Sequence, residues 1–467
     1  MENESKYLSE KDNVKVSVLE KIAYASGDVS CSISFAVITA VLTLFYTDYA
    51  GVSIATIGMV MLLSRFFDGA SDIAMGFLTE KVKSRHGKAR PWILWMSVPY
   101  LIAMIALFCV PSKSSETLKF IYIFVTYNLL TTVIFTAINL PYGALGALMT
   151  RNQHERGIIA IFRMGIAPFG KIIAGSLTLP MVQYFGNTQK AFIITITIWS
   201  VIGFLLLLFC FFKCKERVIV DREKEEKINL KIGLKSLLKN EYWIFCLVLW
   251  ALMNIHQTVI GVAMPYYTKY VLSGNPAITY SILFTLEWVI LSIGAFICAA
   301  LLKKYTKRDL ALVGSLIAVI GHALIFLNPT DFNWVLIVTI IRSFGEAPLF
   351  AVVFGMLADS VEYGQWKTHT RYEGLIYSGA SLGSKVGPGL IGGLMGALLS
   401  YAVYISTTAE TVVQQPESAI NMVMILYKWC PIITWVVMAI VLSFYKLDKI
   451  YPDIMKELKE RESRGEL

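Results

Sequence analysis

Apolar residues run along this chain in blocks of about twenty, separated by short polar gaps. The blocks fall near 22–47, 54–79, 91–110, 119–149, 157–184, 191–212, 243–268, 278–302, 310–327, 333–357, 374–403 and 419–445. A helix of about 20 residues crosses the hydrocarbon core of a bilayer, whereas a barrel strand needs only about half as many. Inside lipid each backbone N–H and C=O must be satisfied within the protein, which a helix does alone. The pattern therefore predicts an all-α membrane protein with about twelve transmembrane helices.

The polar gaps supply the organisation. The residues before Glu20 are polar and charged and lack the apolar core of a cleavable signal peptide, so the first span is expected to insert uncleaved. The longest gap divides the chain. It predicts an N-terminal six-helix half over 1–212, a central loop over 213–241, a C-terminal six-helix half over 242–445 and a tail over 446–467. Within the loop, Asn229 to Leu238 has the pattern of an amphipathic helix lying on a membrane surface. TEKVKSRHGKARPW after the second span and KKYTKRDL after the eighth are each the basic loop following the second span of a half. Two halves with substrate bound between them is a common transporter plan.

Composition reinforces this reading. The chain is 56% hydrophobic and 16% charged, against about 25% charge for a soluble domain. Its net charge of +9 is best read by position. Most of the 42 Lys and Arg fall in the N-terminus and in 80–90, 150–156, 213–240, 303–308, 366–371 and 446–464. All these segments lie on one side of the predicted topology, with Lys113, Lys119, Lys190 and Lys269 on the other. Positive-inside asymmetry then places both termini in the cytoplasm of a plasma or inner membrane. The basic charge orients the chain in a bilayer and does not call for nucleic acid.

Seven cysteines are scattered without a CxxC pair; Cys210 and Cys214, four apart, come nearest to a metal pair, and membrane packing is the simpler reading. Glycines such as Gly383, Gly387 and Gly389 permit close helix approach or flexing. No nucleotide loop, metal motif or nucleophile triad is present, so neither an enzyme nor an ATP-driven pump is expected, nor any cofactor beyond a coupling ion.

The informative residues are the charges that lipid should not hold. An ionisable group at the centre of a span costs about 2.5–3.5 kcal/mol or more unless it meets a partner, water or a ligand. Span two reads MLLSRFFDGASDIAMGFL. Arg65, Asp68 and Asp72 stand at i, i+3 and i+7, within roughly 60° of one another on a helix. Two acids and a cation on one face suit either a cation-coupling site, with Na⁺ or H⁺ as counter-charge, or an ion network locking the helices. Span four contributes Thr136 and Asn139, one turn apart, with Pro141 and Tyr142 beyond them. Their neutral oxygens suit a hard cation. Arg163 and Lys171 in span five and Lys385 in span eleven offer charge to an anionic substrate group, or to Asp68 and Asp72. Asp28 lies a turn or two inside span one. Arg342 and Glu346, four apart in span ten, are expected to pair with each other, and Glu287, His256 and His322 stand alone in their spans.

Several of these segments together resemble the glycoside–pentoside–hexuronide cation symporters, a branch of the major facilitator superfamily. The segments are KIAYASGDVS, FYTDYAGVS, SRFFDGASDIAMGFLTEKVKSRHGKARPWIL, AINLPYGAL and ADSVEYGQWKTHTRYEGLIYS, in order along nearly the whole chain. The resemblance implies a major facilitator fold and cation-driven uptake of a sugar. It implies cation coordination by Asp68 and Asp72, assisted by Thr136, and sugar binding by Arg163 and Lys385. It further implies that Asp359, Glu362 and Arg371 help to close a cytoplasmic gate, with Arg65 beside the cation acids.

The chain departs from melibiose permease of that family at the sugar end. Ser32 and Asn139 stand where that protein has acids, and Gly143 where it has tryptophan. GDV in span one and NLPYG in span four look more like the glucuronide carriers and their pentoside relatives. The surplus of cations over acids leans towards a uronide, with neutral glycosides open. The expected function is symport of a glycoside, pentoside or hexuronide by a monomer. The alternatives are an exporter of drugs or lipids, which needs an apolar binding region, and a membrane sensor of the same fold.

Overall fold

Six helices begin at a side chain that accepts a hydrogen bond from a backbone N–H two or three residues on, and so satisfies one of the unpaired donors of a first turn. They are capped by Ser17, Ser115, Thr188, Asn240, Asn275 and Thr306. The computed structural model describes residues 16–81, 84–111, 114–150, 153–217, 237–368, 390–406 and 414–464. Among these, the regular structure is helical.

The N-terminal sequence forms α1 (Val18–Val37, extended through Ile38–Leu42 and Thr43–Asp48), α2 (Ile54–Lys81) and α3 (Arg90–Ala106). It continues as α4 (Glu116–Asn128, Leu129–Ile134 and Phe135–Met149), α5 (Gln153–Tyr184) and α6 (Gln189–Lys213). The C-terminal sequence forms α7 (Glu241–Tyr270), α8 (Pro276–Leu301), α9 (Lys307–Leu324) and α10 (Phe332–Thr368). It ends with α11 (Leu390–Tyr401), α12 (Glu417–Phe444) and α13 (Leu447–Ser463). Seven of the described helices are long and apolar enough to cross a membrane. Large apolar side chains such as Phe296, Met164 and Phe444 stand exposed, as a lipid-facing surface requires.

The described residues fall into two compact units. One holds α1–α6 with residues 403–406 and 414–415, the other α7–α13. The faint repeat in the basic loops has a structural counterpart in each. In the first unit, Glu216, just past α6, accepts from the N–H groups of Lys88, Ala89 and Arg90 at 2.9, 2.9 and 2.8 Å. Arg90 returns from the start of α3 to donate to the Phe211 carbonyl of α6 at 2.8 Å. In the second unit, Asp448, just past α12, accepts from Arg308 N–H at 2.8 Å. Arg308 donates from the start of α9 to the Leu442 and Ser443 carbonyls at 3.2 Å each. An acid meets the positive end of one helix while an arginine meets the negative end of its neighbour.

The tail is more ordered than a charged segment implies. Leu447, Tyr451, Ile454 and Leu458 recur at helical spacing, and α13 packs them on the core of the C-terminal unit. Trp366 Nε1 donates to Glu457 at 2.7 Å, and Arg461 donates to the Trp366 carbonyl. The amphipathic segment expected over 229–238 lies almost wholly outside the described residues.

Candidate functional site

Two polar clusters occupy the N-terminal unit. The first joins α2 to α4. Asp68 is 7% exposed, and its Oδ1 accepts from the Thr132 hydroxyl at 2.6 Å. Asn128 Oδ1 lies 3.1 Å from the same hydroxyl. Ser71, one turn along α2 from Asp68, donates to the Thr132 carbonyl at 2.9 Å and stands 3.4 Å from Thr136 Oγ1. The expected pair, Asp68 and Thr136, is thus linked through Ser71. A carboxylate, three hydroxyls and an amide oxygen thus line the α2–α4 contact, oxygens of the kind that a hard cation takes.

Thr132 stands one turn before Thr136 on the same face of α4 and, uncharged in an apolar run, has nothing to mark it beside Thr136. Leu129–Ile134 is a π-helical turn, which inserts one residue and shifts the phase of everything after it. The side chains of Arg65 and Asp72 lie outside the described residues, as do Arg371 and Lys385 entirely.

The second cluster joins α1, α4 and α5. Arg163 Nε donates to Asp28 Oδ2 at 2.7 Å, with both side chains half-buried. The Arg163 guanidinium also lies 5.1 Å from the centre of the Tyr142 ring. Tyr142 stacks on Tyr24 at 4.7 Å and 13°, and its hydroxyl donates to the Tyr24 carbonyl at 2.6 Å. Gly27 makes room for this stack: a Cβ there would sit 2.6 Å from Tyr142 Cε2. Ser32 on α1 and Asn139 on α4 are half-buried.

This arrangement corrects the expected charge balance. Arg163 is matched by Asp28, so it is no longer a surplus cation. Lys171, two turns along α5, stands 5.2 Å from the Phe35 ring. Tyr24 was missed because a tyrosine in an apolar run carries no charge to mark it.

In the C-terminal unit, Asp359 pairs with Lys307 at the start of α9, and Glu362 is half-buried a turn away. Arg342 and Glu346 do not pair with each other as their spacing predicted. Arg342 donates to Glu287 of α8 at 2.6 Å, while Glu346 meets His256 of α7 and His322 of α9. Glu287, His256 and His322, each isolated in its own span, find partners between helices, because a buried charge takes its partner from a neighbouring helix when one lies closer than its own i+4 position. Cys210 and Cys214 place their sulfurs 3.9 Å apart in a buried thiol contact within the first unit.

Comparison with known proteins follows the same lines. Residues 23–449 match the family described as MFS/sugar transport protein. The chain is 29% identical over 451 residues to the isoprimeverose transporter of Lactiplantibacillus pentosus, covering 95% of this chain and 92% of that one. It is 30% identical over 441 residues to the inner membrane symporter YicJ of Escherichia coli (strain K12), covering 92% of each. Among solved structures, one from a study of proton-dependent oligopeptide transporters superposes with a TM-score of 0.64 at 10% identity, covering 94% of this chain and 99% of that chain. That likeness concerns the fold alone.

Proposed function

The chain belongs to the MFS/sugar transport protein family of the major facilitator superfamily, a family of multi-pass membrane transporters, and from that premise we propose that it imports a glycoside together with Na⁺ or H⁺ by alternating access. The observation that carries the reading is the buried Asp68 carboxylate 2.6 Å from the Thr132 hydroxyl, with Asn128 and Ser71 in turn bonded to Thr132 and Ser71 to Thr136. An acid kept there without a cation is costly to occlude. A cation bound by Asp68, with Asp72 on the same helix face, removes that cost. Sugar bound by one state then raises cation affinity in that state, and the reverse holds to the same degree.

The sugar end of the proposal is the Asp28–Arg163 pair beside the Tyr24–Tyr142 stack. The pair offers a carboxylate acceptor and a guanidinium fork to hydroxyl groups, and the rings offer an apolar face to a pyranose. We assign Ser32, Asn139, Lys171 and Lys385 to the proposed contacts with the sugar. Because Asp28 already matches Arg163, a neutral glycoside or pentoside suits the pair better than a uronide. This polar set argues against an exporter of apolar drugs or lipids. Twelve spans with both termini in the cytoplasm, the charge distribution of the loops, and a gate formed by Asp359, Glu362, Arg371 and Arg65 complete the proposal.

Proteoliposomes loaded without sugar test it. A panel of neutral glycosides, pentosides and uronides is offered under separately imposed Na⁺ and H⁺ gradients. The proposal requires one neutral glycoside to accumulate with one of the two gradients. Uptake of every sugar at the same rate with and without either gradient contradicts it.

A further inference from the structure

Far along the chain from Asp68, four helices of the C-terminal unit bury five ionisable side chains together. α7 supplies His256, α8 Glu287, α9 His322, and α10 both Arg342 and Glu346; none is more than 3% exposed. Glu346 Oε1 lies 3.1 Å from His256 Nε2 and 3.0 Å from His322 Nε2. Arg342 Nη2 lies 2.6 Å from Glu287 Oε2. Gly345 allows α9 this close to α10, since a Cβ there would meet the Ala318 nitrogen at 2.4 Å.

The remaining titratable neighbours are phenols. Tyr427 of α12 has the Arg342 guanidinium 5.8 Å from its ring centre, and Tyr267 of α7 stacks on it at 4.1 Å. Tyr280 of α8 lies near Glu287. Trp435 of α12 closes the cluster, its Nε1 3.4 Å from His256 Nε2. Phenols are neutral at ordinary pH, so the charge balance among the described residues rests on the first five groups.

Arg342 and Glu287 cancel. Glu346 is left against two imidazoles. His322 Nε2 can donate to Glu346 Oε1, whereas His256 Nε2 faces both Glu346 Oε1 and the donor-only Trp435 Nε1, so its proton position is shared with the carboxylate. If both rings are neutral, the cluster holds one net negative charge where almost no water reaches, a state that a low dielectric strongly disfavours. One more proton brings the sum to zero. Two buried atoms of the same unit have no hydrogen-bond partner among the described residues and can receive it: His256 Nδ1 and Glu346 Oε2.

We propose that His256, His322 and Glu346 form a proton-binding site that takes one proton, held by the three groups as a unit. Such a proton belongs to the coupled set and not to one residue. The three ligating atoms, all within 4.8 Å of one another, also have the spacing of a metal site. Charge separates the two ligands. A divalent ion would leave the cluster with a net positive charge beside Arg342, whereas a proton leaves none. The site lies on different helices from Asp68.

The test uses the full chain in lipid nanodiscs, without sugar. The protein has five histidines, and ¹⁵N labelling of their rings, assigned with His256→Gln and His322→Gln, reports each protonation state directly. Infrared difference spectra edited with ¹³C-glutamate report the carboxyl of Glu346. The expected result at about pH 7 is one bound proton, seen as a cationic ring or a protonated Glu346 carboxyl, and lost as pH rises. Glu346→Gln, a neutral isostere, should bind none and leave both rings neutral over the same range. Wild-type rings that stay neutral, with Glu346 ionised, from mild acid to alkaline pH overturn the proposal. So does one Zn²⁺ retained per wild-type chain and lost in His322→Gln. The wild-type titration decides the matter even where a variant fails to fold.

Discussion

The Thr132 hydroxyl, within the π-helical turn of α4, donates to Asp68 Oδ1 on α2 at 2.6 Å. A hydroxyl in that position orients the carboxylate and presents an oxygen of its own to the same small volume.

Thr132→Val keeps the shape and removes the oxygen. A hydrogen bond to a charged group contributes about 1.5–3 kcal/mol, and ~1.4 kcal/mol is a tenfold change in affinity. The cation concentration for half-maximal sugar uptake should therefore rise about tenfold to a hundredfold, while Thr132→Ser stays close to wild type. Equal activation curves for Val and wild type would show that this hydroxyl is not part of the cation site.

The 2.7 Å Asp28–Arg163 pair makes a prediction about selectivity. Asp28→Asn leaves the guanidinium unmatched, so preference should move towards uronides by about tenfold for each ~1.4 kcal/mol of new charge attraction. Arg163→Gln should weaken both sugar types and disfavour the acidic one further. Competition between a neutral glycoside and its uronide in binding assays reads the shift directly.

Gly27 and Gly143 differ in what surrounds them. A Cβ at Gly27 would press on the Tyr142 ring at 2.6 Å, whereas one at Gly143 meets nothing within 4 Å. Gly27→Ala should cost about 1–3 kcal/mol from overpacking, lower the thermal midpoint and depress sugar affinity by displacing the stack. Gly143→Ala should leave both measurements close to wild type.

The mirrored clamps at Glu216 and Asp448 should behave alike. Glu216→Gln and Asp448→Asn each weaken the acid that satisfies N–H groups at the start of α3 or α9. Each should cost about 0.5–2 kcal/mol, seen as a lower unfolding temperature in detergent with little change in substrate affinity.

Much of this was legible in the sequence because the bilayer imposes simple rules. Each apolar block contains described helix, and Asp68, Thr136, Tyr142 and Arg163 were singled out by polarity alone. What escaped had physical causes. Thr132 escaped because a threonine in an apolar run carries no charge to mark it, and a hydroxyl there can bond its own helix backbone instead of a neighbour. The partner of Arg163 is Asp28, more than a hundred residues away, and the partners of Glu346 come from α7 and α9. Spacing within one helix proposes i+4 pairs; only packing chooses between them and a closer group on a neighbour. The helical tail was legible in the spacing of Leu447, Tyr451, Ile454 and Leu458, but the density of charge around them masked it.

The central claim is that Asp68 ties sugar movement to a cation. Asp68→Asn in proteoliposomes tests it most directly, by comparing sugar accumulation under an imposed cation gradient with sugar exchange at equilibrium. The account predicts that gradient-driven accumulation is lost while exchange or sugar binding persists, because the amide cannot carry the charge that the cation neutralises. Accumulation against a sugar gradient at the wild-type level in Asp68→Asn would contradict it.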